Sequence, residues 1–140
     1  MSDIRLQIVS GEDVDLLHDL MRQVEVADRM PLVTSRAEVD EWLESAHVDP
    51  AEDVRIAVVD DVPAGWGRVM HVPSGVALER AYVFGGVVPE LRRRGVGTAL
   101  LTWGTDRART LLAAHDHDLP RFIRVHQYDW LDDADALYRA

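Results

Sequence analysis

Val87-Val88-Pro89-Glu90-Leu91-Arg92-Arg93-Arg94-Gly95-Val96-Gly97-Thr98-Ala99-Leu100-Leu101 is the stretch from which the rest of the chain can be read. It begins as an apolar strand and stops at a proline. It then passes through three consecutive arginines and two glycines before becoming an amphipathic helix. A strand that ends in a basic, glycine-bearing turn and feeds a helix N-terminus is a natural anion-binding device. The first turn of a helix has unpaired N–H groups, and its dipole favours negative charge. Glycine lets a ligand come close to the backbone. The turn is therefore expected to hold the phosphates of a nucleotide cofactor.

Charge makes this turn conspicuous. The 140 residues carry a formal net charge of −10, which argues against general nucleic-acid binding, since that needs a basic surface. Yet from Arg92 to Arg109 there are five arginines (Arg92, Arg93, Arg94, Arg107, Arg109) against the single acid Asp106. Such a local excess reads either as a site for one small polyanion or as a solvated helix end. With 47% hydrophobic residues the chain suits one globular domain with a real core. No run approaches the roughly 20 apolar residues of a membrane span. Met1-Ser2-Asp3-Ile4-Arg5 lacks a signal pattern. Cysteine is absent, which removes disulfides and a thiol nucleophile. A cytoplasmic protein is the expectation.

Working outward, Ile4-Arg5-Leu6-Gln7-Ile8-Val9 alternates as a half-buried strand does. Ser10-Gly11-Glu12-Asp13 supplies capping residues and first-turn acids for a helix that carries Val14, Leu17, Leu20, Met21 and Val24 to about Asp28 or Arg29, before Pro31. Ser35-Arg36-Ala37-Glu38 has the spacing of a capping box and opens a second helix ending near His47. Strands follow at Val54–Val59, Ala64–His71 and Ala77–Val88, with turns at Asp60-Asp61 and Pro73-Ser74-Gly75. A long helix from about Gly95 to Ala114 has Val96, Ala99, Leu100, Trp103 and Leu111 on one stripe. A polar linker leads to a strand at Phe122–Gln127 and a last helix from about Asp132. Only the step through the long helix requires a parallel crossover. The expected architecture is thus a single α/β (α+β) domain with a mixed, mostly antiparallel sheet and helices on both faces.

Arg92-Arg93-Arg94-Gly95-Val96-Gly97 follows the pattern Arg/Gln-x-x-Gly-x-Gly/Ala behind Val87-Val88-Pro89, and resembles the acyl-CoA motif of the GNAT superfamily of N-acyltransferases. The element order is similar to that fold through its fourth helix. The long helix with Trp103 and Arg107-Ala108-Arg109 is similar to that of tandem, two-domain actinobacterial members. The resemblance implies an N-acetyltransferase that uses acetyl-CoA and moves the acetyl group to a primary amine of a small molecule or peptide. By the same resemblance, N–H groups from about Arg93 to Thr98, including those of Gly95, Val96 and Gly97, bind the CoA pyrophosphate. Arg92, Arg93 and Arg94 add charge-assisted contacts. A strand N–H near Gly86 or Val87 polarises the thioester carbonyl. Gly85-Gly86 would then mark the gap where pantetheine pairs with the strand. Plain packing room beneath a helix is the other reading of the two glycines. Tyr138 in Ala134-Asp135-Ala136-Leu137-Tyr138 matches the family's Ala-x-x-Leu-Tyr, whose hydroxyl protonates the leaving thiolate, or else packs its ring on the sheet.

Two positions depart from the family's pattern. Position 131 is leucine where the family often has asparagine, and Ala81 stands where some relatives carry a glutamate base. Glu79, two residues earlier on the same strand face, is the substitute candidate, with His71 and His126 behind it. His115 and His117 in an acidic loop lack a spaced partner, so no metal is expected. The family continues past Leu137-Tyr138-Arg139-Ala140 with further strands. The chain is thus expected to be incomplete at its C-terminus, with a homodimer partner or second domain completing the sheet. A non-catalytic acyl-CoA-binding domain of a larger protein is the alternative function. The acidic balance is compatible with a cationic amine acceptor and specifies no more than that.

Overall fold

The structure is a computed structural model that describes residues 3–71, 79–114 and 121–125. In chain order it contains β1 (Ile4–Ile8), α1 (Val14–Ala27), α2 (Arg36–Leu43), the single turn α3 (Pro50–Asp53), β2 (Val54–Val59), β3 (Val62–His71), β4 (Glu79–Val87), α4 (Val96–Ala113) and β5 (Arg121–Val125). The five strands form one sheet in sequence order. The first three pairings are antiparallel, and β4 pairs with β5 in parallel. The mixed sheet expected from the single crossover through α4 is what forms.

Local chemistry accounts for most boundaries. Ser10 donates from its backbone N–H and its hydroxyl to Asp13 Oδ2 at 2.9 and 3.0 Å, closing a 3-10 turn at Gly11–Asp13 ahead of α1. The Ser35 hydroxyl accepts from the Glu38 N–H at 3.1 Å, the expected cap of α2. That helix stops at Leu43, before His47, because the chain turns to place Asp49 as cap of α3, with Pro50 at its first position. Asp60 and Asp61 both take left-handed φ values, 48° and 68°, so β2 and β3 join through a two-residue turn whose twist suits a hairpin. As a result β3 begins at Val62, two residues before the sequence pattern suggested. The expected helix from Asp132 and strand residues beyond Val125 lie outside the described residues.

The sheet has a helix layer on each face. On one face α1 buries Val14, Leu17, Leu20, Met21 and Val24, packing with Val39 of α2 against Ile56, Val58 and Trp66. On the other, α4 lays Val96, Leu100, Gly104, Ala108 and Leu112 along the sheet. The approach of α4 is close: a Cβ on Gly104 would stand 2.5 Å from Val83 Cγ1, and one on Gly67 3.0 Å from the Trp103 ring. The two glycines thus set the distance between helix and sheet.

Two buried carboxylates lock the helices. Asp53, 2% exposed, accepts from Arg107 Nε at 2.6 Å and so ties α3 to α4. Glu25, 5% exposed, accepts from the Thr34 hydroxyl, the Thr34 N–H and Arg22, which fastens the chain leaving α1. Burial pushes the Glu25 carboxyl up, but the bonds from Thr34 and Arg22 outweigh it and hold the pKa below its ordinary value. A group of this kind stabilises the fold above its unfolded pKa, and the contribution is lost as pH falls through the folded value. Acid titration of urea stability should therefore fall more steeply for the wild type than for Glu25→Gln. Asp53→Asn, which leaves Arg107 without its counter-ion, should cost about 3 kcal/mol in the same urea assay.

Candidate cofactor site

Past the end of β4, the Val88 N–H donates to Ala64 O at 2.8 Å, and Pro89–Leu91 form a 3-10 turn. Arg92 then folds back. Its Nε donates to the Val87 carbonyl at 2.8 Å, and a terminal nitrogen donates to Asp28 Oδ1 at 2.8 Å, where the two side chains are 26% and 12% exposed. One guanidinium thus joins the end of β4, the end of α1 and the start of the basic turn. Arg93 takes a left-handed φ of 64° and is exposed, as is Arg94. The three arginines that look equivalent in sequence therefore divide, with Arg92 in a structural clasp and Arg93 and Arg94 on the surface at the helix start.

Gly95 is left-handed at φ 88°, ψ 2°, and Val96 begins α4. Space does not demand this glycine, because a Cβ there would meet only Ile4 Cδ1 at 3.5 Å; the backbone conformation does. The first helical bond runs from the Ala99 N–H to Gly95 O at 3.0 Å, so the N–H groups of Val96, Gly97 and Thr98 have no intrahelical acceptor. The N-cap, Gly95, has no side chain to cap the helix, and no acid stands in its first turn. A left-handed residue followed by a helical one turns successive N–H groups into a concavity that suits an anion.

The adjoining edge of β4 completes the site. β5 pairs with β4 from Glu79↔Arg121 to Val83↔Val125, as far as the described residues of β5 reach, and among the described residues Gly85–Val87 have no strand partner on that edge. Direction alternates along an antiparallel strand. Because Val88 bonds to Ala64 of β3, Gly86 also turns its N–H to β3, whereas Gly85 and Val87 turn theirs to the open edge. Of the two positions singled out in the sequence, the Val87 N–H thus faces the gap and the Gly86 N–H does not. The close-packing reading of the glycines also has a definite cause. A Cβ on Gly86 would lie 2.7 Å from Val24 Cγ1 of α1, and one on Gly85 2.7 Å from Trp66 O.

The other candidates lie elsewhere. Glu79 is the first residue of β4, opposite Arg121, and six residues of extended strand, about 20 Å, separate it from Gly85. His71 is 5% exposed and pairs with Ala81. Tyr138, His115, His117 and His126 lie outside the described residues. Among the described residues no group of three His, Asp or Glu side chains could hold a metal ion. No helix among them is long and apolar enough to cross a membrane.

Sequence reasoning missed Arg68. This residue of β3 lies between the rings of Trp42 and Phe84, with its guanidinium carbon 4.5 and 4.8 Å from their centroids. Its Nε is buried without a hydrogen-bond partner. Loss of water lowers its pKa from the usual guanidinium value. The available signal was an arginine in the middle of an otherwise apolar strand.

Comparison with known proteins gives the fold and the family. The chain matches the solved structure of a GCN5-related N-acetyltransferase from Sphaerobacter thermophilus with a TM-score of 0.80 at 20% identity, over 97% of this chain and 42% of that one. It thus spans less than half the length of that protein. The aminoglycoside acetyltransferase meta-AAC0020 from an uncultured soil sample matches at TM-score 0.68 and 17% identity, over 97% and 85% of the two chains. Arabidopsis thaliana Naa50, solved with a bisubstrate analogue CoA-Ac-MVNAL, matches at 0.66 and 18%, over 97% and 80%. No curated protein sequence matches the chain. At these identities the structures establish the fold. The profile of the acetyltransferase (GNAT) family matches residues 16–138, most of the chain, and the protein belongs to that family.

Proposed function

We propose that the protein is an acetyl-CoA-dependent N-acetyltransferase that acts on a primary amine of a small molecule or peptide. The observation that carries this reading is the N-terminus of α4, acid-free in its first turn and entered through left-handed Gly95, beside the Gly85–Val87 edge of β4, which has no strand partner among the described residues. The residues present fit CoA. The diphosphate suits the N–H groups of Val96, Gly97 and Thr98 behind Gly95, and the exposed Arg93 and Arg94 offer charge to its phosphates. Arg92 contributes mainly by holding this turn against β4 and α1.

When bound, acetyl-CoA supplies an acetyl thioester and leaves as a thiol. The chain's own groups do the rest. The N–H of Gly85 or Val87, facing the open edge, donates to the carbonyl oxygen as negative charge builds on it. The stiffness of the β3–β4 pairing fixes these donors in advance, so little reorganisation is needed. Tyr138 gives its hydroxyl proton to the departing sulfur. The amine must arrive neutral. Glu79 is about 20 Å of strand from Gly85, so a base there serves the amine only through a chain of water.

Saturating acetyl-CoA should raise the thermal midpoint, by about 2.7 kcal/mol of stability at a hundredfold excess over Kd. Absence of a shift at millimolar acetyl-CoA would sink the proposal. Replacing both Arg93 and Arg94 by alanine should weaken acetyl-CoA binding about tenfold, the equivalent of about 1.4 kcal/mol. Tyr138→Phe should lower kcat about a hundredfold in a thiol-release assay while leaving acetyl-CoA binding unchanged. Loss of binding in that variant would assign Tyr138 to packing instead.

A further inference from the structure

Paired residues across neighbouring strands share a face of the sheet. The registers Trp66↔Gly86, Arg68↔Phe84, Met70↔Tyr82, Arg80↔Phe122 and Tyr82↔Arg124 therefore put Arg68, Arg80 and Arg124 on the face covered by α1 and α2. None of the described residues on that face of β3, β4 and β5 is acidic. In a chain of net charge −10 this is a local inversion of sign. Arg68 is the sharpest case. Its contacts are the rings of Trp42 and Phe84, and its Nε is shut away from water with no hydrogen-bond partner among the described residues. Arg80 Nε is likewise buried without a partner.

A guanidinium whose Nε is shut away from water with no counter-ion among the described residues is costly, and ring faces compensate only part of that cost. Such an arrangement makes sense where the missing anion arrives with a ligand. The place fits: Arg68 is paired with Phe84, so its Cα lies about 6 Å from that of Gly85, whose N–H faces the open edge of β4. The cofactor reading occupies the start of α4, and Arg68, only partly buried, lies on the opposite face of the sheet beside Trp42 of α2.

We propose that Arg68, clamped between Trp42 and Phe84, binds an oxyanion carried by the amine acceptor, so that the acceptor is a molecule bearing both an amine and a carboxylate or phosphate. This rests on the acetyltransferase reading above. It goes beyond net charge, which is compatible with a cationic acceptor but selects none. The planar fork of Arg68 suits either oxyanion, and the clamp fixes its orientation before the acceptor enters.

The test uses the full chain, Arg68→Met to remove the charge while keeping an apolar stem, and Arg68→Lys to retain charge without the fork. Thiol release from acetyl-CoA is measured with glycine against glycinamide, and phosphoethanolamine against ethanolamine, at matched free-amine concentration. In the wild type at least one oxyanion-bearing member should show about tenfold higher kcat/KM than its neutral or cationic counterpart, mainly through KM. The pair that responds identifies carboxylate or phosphate. Arg68→Met should erase the preference and Arg68→Lys restore part of it. Equal or better use of glycinamide and ethanolamine by the wild type overturns the proposal.

A second arm needs no turnover. Acetate or phosphate, against chloride at matched ionic strength, should raise the thermal midpoint of the wild type but not of Arg68→Met. Identical responses of the two proteins overturn the proposal. The acetyl-CoA midpoint shift, read on the same samples, separates the two claims. Its loss in the wild type defeats the acetyltransferase reading, whereas its retention with failed oxyanion arms defeats only the acceptor assignment.

Discussion

The single guanidinium of Arg92 is the constraint on which the geometry of the site depends. It bonds to the last carbonyl of β4 and to Asp28 at the end of α1, and in doing so fixes where the chain may turn toward α4. Left-handed Arg93 and Gly95 complete that turn within a few residues. The helix consequently starts beside the strand edge, not at a distance from it. An arginine that looks in sequence like a ligand for phosphate is, in the fold, a bracket between β4, α1 and the turn into α4.

Packing on both sides of β4 reinforces this placement. Gly86 admits Val24 of α1 on one face, and Gly104 admits Val83 to α4 on the other. Any larger residue at either point would push a helix away from the strand. The Asp53–Arg107 pair adds a polar tie further along α4. Together these contacts pack β4 closely between the two helix layers at Val83–Gly86.

Much of this was legible in the sequence, for identifiable reasons. The 3.6-residue stripe of Val14, Leu17, Met21 and Val24 announced α1, Ser35 and Glu38 announced the start of α2, and Gly95 marked the turn into α4. Local rules of capping and periodicity govern such features, and those rules act over a few residues. The single turn at Pro50–Asp53 was missed, because it is too short to show a period. The division among Arg92, Arg93 and Arg94 was also hidden. It depends on Asp28, 64 residues away, and no spacing rule reaches that far. Arg68 was hidden for the same reason: its isolation follows from the pairing of β3 with β4 and from Trp42 on α2.

If the start of α4 and the Gly85–Val87 edge of β4 form one CoA site, both must respond to CoA together. Titration of the isotopically labelled protein with free CoA, followed by amide resonances, tests it most directly. The account predicts that the N–H groups of Val96, Gly97 and Thr98 shift together with those of Gly85 and Val87, while that of Gly86, turned to β3, shifts far less. Saturating CoA that leaves the Val96–Thr98 amides in place, or perturbs them without the β4 edge, would contradict it.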